Sequence, residues 1–406
     1  MRVLFISPVV PEPATDGGRQ RIHHLLDALV AEHEVIFVGL SRGDAPGAWA
    51  LAERFAAPPI FVDLGGRTTP RRGAEVARLL GMPAWALPDS VRRVERSGLW
   101  DRLQQLPLDT FDVVHVETMA MAPFALAAAA RTRGAATVLD LPDVASHFSA
   151  RLMNRHWWLN ARGLRDAIDV GRLHYWEGRL MPGFDSVIVC SDVDRARLPR
   201  GVRPGSVSVV PNCTNTNLPP LPPATGSDLV FVGTMSYPPN EEGVLYFCSQ
   251  VLPLVQRDVP GARFWIVGKS PSAKVQRLQE QNRGVYVTGE VDDVRPFLAR
   301  SAAAVVPLLS GGGTRLKILE AMAAGRAVVS TTLGAEGLAT VTGVHILLAD
   351  TAQEMADSCV WLLQHPDRGI KLAEQARSLV EEHYDWRVAR KHILSRYIEL
   401  RPVTAS

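Results

Sequence analysis

Three glycines stand shortly before an arginine and a lysine in the stretch SGGGTRLKILEAMAAG, which runs from Ser310 to Gly325. Glycines let backbone N–H groups approach a phosphate, and a helix N-terminus carries about +0.5 charge with free N–H groups. Arg315 and Lys317 add two cations to the first turn of the predicted helix, where the helix dipole disfavours them. This combination favours a bound anion, and two solvated surface cations are the alternative.

The groups around these cations are predicted to belong to the same anion site. Its residues are Gly312, Gly313, Thr314, Arg315, Leu316 and Lys317, with Thr314 as the expected helix cap. Glu320 follows among small and apolar neighbours. A carboxylate held in a cleft can accept two hydrogen bonds from a vicinal diol such as ribose. A surface Glu320 that pairs with Lys317 at i, i+3 is the alternative.

Two other loops follow apolar strands and precede helices. Gly17 and Gly18 come after the strand RVLFIS, and Gly233 and Thr234 end the strand LVFVGT. Both loops are predicted to contact a phosphate-bearing ligand, with an ordinary flexible loop and a structural turn as the respective alternatives. Neither G-x-G-x-x-G nor G-x-x-x-x-G-K-[ST] is found here, so dinucleotide and P-loop interpretations lose their main support.

Short apolar runs that alternate with helical stretches must position these loops. The runs are RVLFIS, EVIFVGL, PIFVDL, DVVHVE, ATVLDL, SVIVCS and VSVVP, followed by LVFVGT, RFWIVGK, VYVTGEV, AAVVPL, AVVST and HILLA. Such strands predict α/β architecture with parallel sheets covered on both faces. Ligands bind at the carboxyl ends of these strands. Two such domains are therefore expected to face an interdomain cleft.

The connector NTNLPPLPPATGSD predicts the domain boundary, near residues 216–227. Its prolines and small polar residues are typical of a stiff, exposed linker. The predicted domains are 1–220 and 227–385. A C-terminal helix over 386–406 is expected to pack back on the N-terminal domain.

The composition bounds the class of protein. The 406 residues are 47% hydrophobic and 21% charged, with a formal net charge of +2, so there is no bulk attraction to nucleic acid. Four dispersed cysteines predict reduced thiols in a cytosolic protein. The start, MRVLFISPVVPEP, is predicted to be a buried strand rather than a signal peptide, and no apolar run approaches the ~20 residues of a membrane-spanning helix.

Several motifs of the sequence resemble those of a known enzyme family. GGGTRLKILEAMAAGRAVVSTTLGAEGL, FVGTMSYPPNEEGVLYF, VYVTGEVDDVRPFLARS and VVPNCTNTN resemble the GT4 family of retaining glycosyltransferases, which use nucleotide sugars. ISPVVPEPATDGGRQRIHHLLDAL, FDVVHVE and YDWRVARKHIL are similar to the same family, so the resemblance covers nearly the whole chain. It implies the GT-B fold of two Rossmann-like domains. The nearest subgroup is that of bacterial sugar transferases associated with exopolysaccharide loci.

The resemblance assigns roles to particular residues. The Glu-x7-Glu motif of the family would place carboxylates at 312 and 320. Glu320 matches the second, which holds the ribose hydroxyls, whereas Gly312 replaces the first, which touches the donor sugar. The usual Arg and Lys after the strand ending at Gly233 are also missing. Arg315 and Lys317 are interpreted as relocated cations for the same diphosphate.

The resemblance also implies a mechanism. Cations and helix N-termini stabilise the leaving phosphate, which takes the acceptor proton on the same face of the sugar. Asp143 is assigned a place near the donor sugar and acceptor, and the main chain near Val291 is assigned to the base. Transfer without a metal or a resident cofactor is expected. The expected partners are a UDP- or GDP-sugar and a sugar, lipid-linked sugar or small-molecule acceptor.

Two other classes of function stay open. A catalytically weak sugar-nucleotide or polysaccharide binding protein is favoured by Gly312 in place of the first glutamate. A phosphorylase or nucleotide-sugar epimerase of the same fold would use the same cleft. Turnover of a nucleotide sugar separates the first class from a transferase, and the identity of the product separates the second.

The segment RLMNRHWWLNARGLRDAIDVGRLHYWEGRL interleaves arginines with tryptophans. Such composition can lie on an anionic membrane surface or grip a phosphorylated acceptor. The alternative is a helix pair with tryptophans in the core and arginines that are solvated or paired with Asp166, Asp169 and Glu177. Peripheral contact with the inner face of a membrane is therefore a second expectation beside a cytoplasmic location.

Overall fold

The computed structural model describes residues 1–14, 16–41, 52–64, 75–153, 161–224, 226–312 and 315–400. The chain divides into two compact units, which are Met1–Pro211 with Ala389–Ser406, and Asn212–Val388. Each unit contains one parallel sheet and its own hydrophobic core. The predicted α/β class with two Rossmann-like sheets is confirmed.

Seven parallel strands form the sheet of the first unit, in the order β3-β2-β1-β4-β5-β6-β7. The strands are β1 (Arg2–Ser7), β2 (Glu34–Ser41), β3 (Ile60–Asp63), β4 (Val113–Glu117), β5 (Ala136–Leu141), β6 (Ser186–Val189) and β7 (Val207–Val209). This is the order of a doubly wound sheet, whose direction of winding reverses between β1 and β4. Its helices are α1 (Gly17–Val30), α2 (Glu75–Leu79), α3 (Asp89–Glu95), α4 (Leu99–Leu103), α5 (Ala122–Ala129), α6 (Ala145–Leu152), α7 (Ala161–Leu180) and α8 (Asp192–Ala196).

Six parallel strands form the second sheet, in the order β10-β9-β8-β11-β12-β13. The strands are β8 (Asp228–Val232), β9 (Arg263–Val267), β10 (Val285–Gly289), β11 (Ser301–Val306), β12 (Ala327–Ser330) and β13 (Leu347–Leu348). The winding reverses here between β8 and β11. The remaining helices are α9 (Pro238–Tyr246), α10 (Leu252–Asp258), α11 (Ala273–Gln276), α12 (Leu278–Gln281), α13 (Arg295–Arg300), α14 (Leu316–Ala323), α15 (Ala352–Gln364), α16 (Pro366–His383) and α17 (Trp386–Glu399).

Every apolar run predicted as a strand is a strand, because the runs are nearly continuous Val, Ile and Leu and both faces of each sheet are covered. α9 begins at Pro238, since prolines in the first turn lack only N–H groups that a helix leaves unbonded.

The last helix, α17, turns Ala389, Ile393 and Tyr397 inward. Ile398 is 61% exposed and lies outside this inward face. All four cysteines are buried. Among the described residues, none of the helices combines the length and apolar character needed to cross a membrane.

Candidate functional site

Two loops of the second unit leave the sheet where its winding reverses. β8 ends at Val232, and Gly233 and Thr234 begin the loop to α9; β11 ends at Val306 and leads through the glycine stretch to α14. β8 and β11 are neighbours, with Leu229 paired to Ala303. The carboxyl ends of the strands at such a reversal point are the usual ligand site of an open α/β sheet.

Lys317 connects the two loops. It is the second residue of α14, and its Nζ donates a 2.6 Å hydrogen bond to Asn240 Oδ1. Asn240 Nδ2 in turn donates to the Thr234 carbonyl at 2.8 Å. The same Nζ lies 4.2 Å from the centre of the Phe231 ring, a cation–π distance. The predicted cation therefore lies against the β8 loop.

Gly233 is required by this approach. A Cβ at this position would lie 2.8 Å from Lys317 Nζ and 2.8 Å from Asn240 Nδ2. Its carbonyl faces Gly268, which has φ +145°, and a Cβ on Gly268 would lie 2.0 Å from that oxygen. The absence of a side chain at Gly233 thus leaves room for Lys317 and Asn240, and its absence at Gly268 leaves room for the Gly233 backbone.

Lys317 is costly to charge in this environment. Burial and then the neighbouring Arg315 charge lower the pKa of Lys317 to about 7, although Glu320 raises it. The ammonium and neutral forms are therefore close in free energy near neutral pH. An anion beside Nζ would favour the ammonium form and raise this pKa.

Arg315 is buried immediately before α14 and caps it with its backbone, so it precedes the first turn in which it was predicted. Its Nη1 donates to the carbonyl of Gly312. Gly311 has φ +97°, and a Cβ there would lie 2.8 Å from Tyr237 Oη and 3.2 Å from Arg315 Nη2. The loop thus folds closely around the guanidinium. Leu316, also predicted in the site, is the buried first residue of α14, while Gly313 and Thr314 lie outside the described residues.

Glu320 is half-buried one turn after Lys317, and both line a small pocket of about 10 Å³. The other walls are apolar, including Val232, Val294 and Ala304. This volume is at the lower limit for one water molecule. Glu320 therefore lies in a partly apolar recess beside the predicted cation, and not on an open helix face.

Val291 is half-buried in the connection between β10 and α13 and packs against the core. The neighbouring Asp293 accepts a 2.8 Å hydrogen bond from the backbone N–H of Arg295. The Asp293 carboxylate therefore bonds the first backbone N–H of α13.

Gly17 and Gly18 differ from prediction. They form the first turn of α1 rather than a loop, because the Asp16 side chain caps the helix by accepting a 3.0 Å hydrogen bond from the Arg19 N–H. Asp16 also lies 3.6 Å from Arg19 Nε. A carboxylate thus already lies at this helix N-terminus.

Asp143 lies half-buried between β5 and α6, after the carboxyl end of its strand. Its charge contributes to raising the pKa of the Cys190 thiol, for which burial is the main cause. The predicted role of Asp143 stays a prediction.

The first unit contains a buried polar cluster that sequence reasoning did not assemble. Arg21 binds Asp140 through two hydrogen bonds of 3.1 and 2.7 Å and donates to the Val210 carbonyl at 2.9 Å. His115 Nδ1 and Tyr397 Oη are 2.7 Å apart, and His115 Nε2 lies 3.7 Å from Glu117 Oε1. We call Arg21, His115, Glu117, Asp140 and Tyr397 the buried cluster. In the sequence, this cluster was indicated only by the polar residues inside the apolar runs VVHVE and ATVLDL.

Burial determines the protonation of the buried cluster. It raises the pKa of Glu117 to about 7 and lowers that of His115 to about 4, while Arg21 opposes the rise at Glu117. Burial also raises the pKa of Asp140 to about 6, against the effect of Arg21. Asp140 bonds Arg21 directly, so it holds the negative charge and Glu117 the proton. His115 and Glu117 are both buried, and His115 Nε2 and Glu117 Oε1 have no hydrogen-bond partner among the described residues.

Three of these side chains also have metal-ligand chemistry. One ligand atom from each of His115, Glu117 and Asp140 lies within 4.8 Å of the others. Arg21 already binds both oxygens of Asp140, so a cation there would face a guanidinium. The residues therefore fit a metal poorly. The sequence DVD at 192–194 is also structural, since Asp194 accepts a 2.6 Å hydrogen bond from Ser191 Oγ.

Comparison with known proteins identifies the family. The model of Glycosyltransferase Family 4 matches residues 15–218, and that of Glycosyl transferases group 1 matches residues 226–365. The first match alone covers half of the 406 residues.

Individual relatives agree with these matches. An uncharacterized 44.6 kDa protein in the cps region of Klebsiella pneumoniae is 26% identical over 165 residues, 39% of this chain and 42% of that protein. The glycogen synthase of Mycobacterium tuberculosis H37Rv is 27% identical over 408 residues, 95% of this chain and 92% of that protein. The crystal structure of Anabaena Alr3699/HepE in complex with UDP and glucose matches with a TM-score of 0.63 and 16% identity, over 98% of this chain and 100% of that chain. The chain therefore belongs to the group 1 and family 4 glycosyltransferases, with the two Rossmann-like units of the GT-B fold.

Proposed function

We propose that this glycosyltransferase moves a sugar from a UDP- or GDP-sugar to a hydroxyl acceptor with retention of configuration, in polysaccharide or glycoconjugate assembly. The acceptor is a sugar, a lipid-linked sugar or a small molecule. The observation that carries the proposal is the amino group of Lys317 held against Gly233 at the reversal point of the second sheet. The Anabaena structure with UDP and the glycogen synthase relative support the donor and product classes.

The site suits a diphosphate because it concentrates positive charge. Arg315 lowers the pKa of Lys317, which means that the two cations repel each other in the ligand-free protein. A diphosphate between them would remove that repulsion and accept hydrogen bonds from both. Gly233 allows the phosphate-binding backbone to lie close to the ammonium group.

The position of Lys317 supports its interpretation as a relocated cation. In the resembling family an Arg and a Lys follow the strand equivalent to β8. Here Asn240 lies in the segment after that strand, and Lys317 reaches it from α14. A cation thus lies beside the same loop although its sequence position differs. This arrangement also favours a working site over a decayed one, despite Gly312.

Glu320 is proposed to accept hydrogen bonds from the ribose hydroxyls. It lies one turn after Lys317 on α14, so ribose and diphosphate contacts would come from one helix face. Val291 is proposed to lie near the base. The roles of Gly17, Gly18 and Asp143 stay predictions.

The reaction then follows from charge development. The bond between the anomeric carbon and the β-phosphate oxygen breaks, and its electron pair stays on the phosphate. The acceptor oxygen bonds the same face of the anomeric carbon, and its proton passes to the leaving phosphate. Arg315 and Lys317 stabilise the negative charge of that phosphate, an effect of about 3–4 kcal/mol for a strong donor.

Transfer without a metal ion follows from the same two residues. Arg315 and Lys317 supply the positive charge that a divalent cation would otherwise bring to the diphosphate. Chelation of divalent ions is therefore expected to leave turnover unchanged.

A thermal-shift panel of UDP, GDP, ADP and dTDP, with and without Mg²⁺, tests the proposal. A nucleotide at 100 times its dissociation constant adds about 2.7 kcal/mol to the free energy of unfolding. We expect UDP or GDP to stabilise the protein without Mg²⁺. Stabilisation by none of the four would contradict the proposal.

A nucleotide-sugar or polysaccharide binding protein with little turnover is the second candidate, favoured by Gly312 in place of a carboxylate. It shares the binding site, so nucleotide binding does not separate the two. Release of free nucleoside diphosphate from UDP-glucose or GDP-mannose in the presence of acceptor sugars would favour the transferase.

A further inference from the structure

Helix α7 leaves a long apolar face exposed. Leu164, Ile168 and Tyr175 are 53%, 51% and 44% exposed. Their spacing of four and seven residues puts them on one side of the helix. The three side chains span eleven residues, or about 17 Å along the helix axis, so they form a stripe.

The three residues of this stripe are not part of the hydrophobic core. Leu173, Trp176 and Leu180 are the buried apolar residues of α7, and they lie on the opposite side. This confirms a core position for Trp176, whereas Trp157 and Trp158 lie outside the described residues. The sequence-based alternative of a helix pair therefore accounts for one face of α7 and leaves the other unexplained.

Positive charge accompanies the apolar stripe. Arg165, Arg172 and Arg179 recur every seven residues, along one edge of the exposed face. Arg172 also contacts Asp89 at 3.7 Å and Asp169 at 3.9 Å, so Arg165 and Arg179 contribute most of the edge charge.

The carboxylates of α7 lie away from the stripe. Glu177 is buried and accepts a 2.8 Å hydrogen bond from the Ser146 N–H, and Asp169 accepts one of 2.8 Å from the Asp89 N–H. Asp166 is two positions from Leu164 and therefore lies on the opposite side of the helix. The exposed face thus combines apolar side chains with arginines and carries no acidic residue of α7.

A tryptophan is exposed in an element that packs against α7. Trp85 is 72% exposed in the short helical turn Ala84–Ala86, which packs against α7. The backbone carbonyl of Trp85 accepts a 3.4 Å hydrogen bond from Arg92 Nη2. Exposed tryptophan is typical of side chains that settle at the headgroup level of a bilayer.

We propose that this α7 face docks on an anionic lipid bilayer. Leu164, Ile168 and Tyr175 enter the boundary between headgroups and acyl chains, and Arg165 and Arg179 contact lipid phosphates. The choice of a bilayer rests on charge complementarity, because the face is positive along its length. The helix lies on the membrane and does not cross it. The inference is independent of the donor site, since it concerns only the first unit.

Sedimentation of the full chain with vesicles tests this inference. Vesicles of phosphatidylcholine are compared with vesicles of equal parts phosphatidylcholine and phosphatidylglycerol. We expect binding to the anionic vesicles only. The R165Q/R179Q variant should bind them about 25-fold more weakly, at about fivefold per arginine near the surface. The L164E/I168E variant should not bind.

Control variants change the charge at exposed positions outside α7. R368Q/K371Q removes two exposed cations from α16, and V341E adds a carboxylate at an exposed apolar position. Both should bind vesicles like the wild type. Equal binding by R165Q/R179Q and R368Q/K371Q would overturn the inference, as would no binding of the wild type. A dimer in sedimentation velocity that L164E/I168E dissociates, without vesicle binding, would also overturn it and assign the face to a second copy.

Discussion

The two sheets reverse their winding in the same way, yet the polar residues beside the two reversal points differ in kind. In the first unit, the buried cluster balances itself, since Arg21 binds Asp140 and Glu117 holds a proton. In the second unit, the charge of the neighbouring Arg315 raises the cost of charging Lys317. Both places contain strongly shifted pKa values. A shifted pKa therefore indicates burial but does not by itself identify a ligand site. An excess of one charge is the feature that favours binding of a ligand.

This difference suggests different consequences for mutation. A closed network contributes to stability, because removing one partner leaves a buried charge uncompensated. A concentration of like charges contributes to binding and gives the free protein little stability. Substitutions in the first unit should therefore change unfolding, and those in the second should change nucleotide binding and turnover.

The largest expected effect is that of Arg21→Met. It leaves the Asp140 carboxylate buried without its guanidinium, which costs about 3–5 kcal/mol of the free energy of unfolding. Urea unfolding followed by circular dichroism measures the loss. Arg133→Met removes a guanidinium from an exposed pair with Asp109 and should leave the unfolding midpoint unchanged. Equal midpoints for the two variants would contradict a closed network.

Lys317→Met should lower kcat/KM for the nucleotide sugar by about 10²–10³-fold while leaving the unfolding midpoint near that of the wild type. The apolar stem is kept and only the ammonium group is lost. Lys371→Met removes an exposed lysine of α16 as the control and should keep full activity. A fully active Lys317→Met enzyme would show that the Lys317 ammonium group is not needed for catalysis.

Glu117→Gln should change the pH dependence of stability. Folded Glu117 holds its proton up to about pH 7, whereas its ordinary pKa is 4.5, so the native state binds more protons between these values. Stability from this group is therefore lost as pH rises through that window, by up to about 3 kcal/mol.

The Glu117→Gln variant does not lose stability in this way, because a glutamine side chain does not titrate. Its free energy of unfolding should rise relative to the wild type from about pH 4.5 to pH 7 and stay constant above it. Urea titrations of both proteins across this range measure the difference. A constant difference would mean that Glu117 titrates alike in the folded and unfolded chains.

A pair of glycines separates binding from stability within one unit. Gly233→Ala places a methyl group 2.8 Å from Lys317 Nζ, which must move, so nucleotide affinity should fall about tenfold, or about 1.4 kcal/mol. Gly268→Ala meets the Gly233 carbonyl at 2.0 Å and should lower the melting temperature instead. Calorimetric titration and thermal unfolding of both variants test this. Interchanged outcomes would contradict the assignment of Lys317 to the ligand.

The smallest effect is expected for Tyr397→Phe. It removes the 2.7 Å hydrogen bond to His115 and leaves a buried ring nitrogen without that partner, at a cost of about 1 kcal/mol. Thermal unfolding should show a small decrease, and kcat/KM should not change. A clear decrease in kcat/KM of this variant would instead assign the buried cluster a role in catalysis.

The fold was predictable from the sequence because its information is local. Each strand is a short, nearly continuous apolar run, which is the pattern of a parallel strand covered on both faces. The charged contacts were not predictable in the same way. Lys317 and Asn240 are 77 residues apart, and Arg21 and Asp140 are 119 apart, so each pair depends on the order of strands in a sheet.

The candidate site illustrates this limit. The glycine stretch and its two cations were visible in the sequence, but the contact of Lys317 with Gly233 was not. The Asp16 cap changed the interpretation of Gly17 and Gly18, because one side chain fills the position offered to a phosphate. Arg21 had no distinguishing pattern at all.

Titration of UDP and GDP into the wild type and Lys317→Met, by calorimetry from pH 6 to pH 9, tests the diphosphate site most directly. A phosphate beside Lys317 raises its pKa from about 7. The wild type should therefore take up protons on binding, and its affinity for one nucleotide should fall by up to about tenfold per unit above pH 7. Lys317→Met should bind weakly and without that pH dependence. Equal affinity and an equal pH profile in the two proteins would contradict the account.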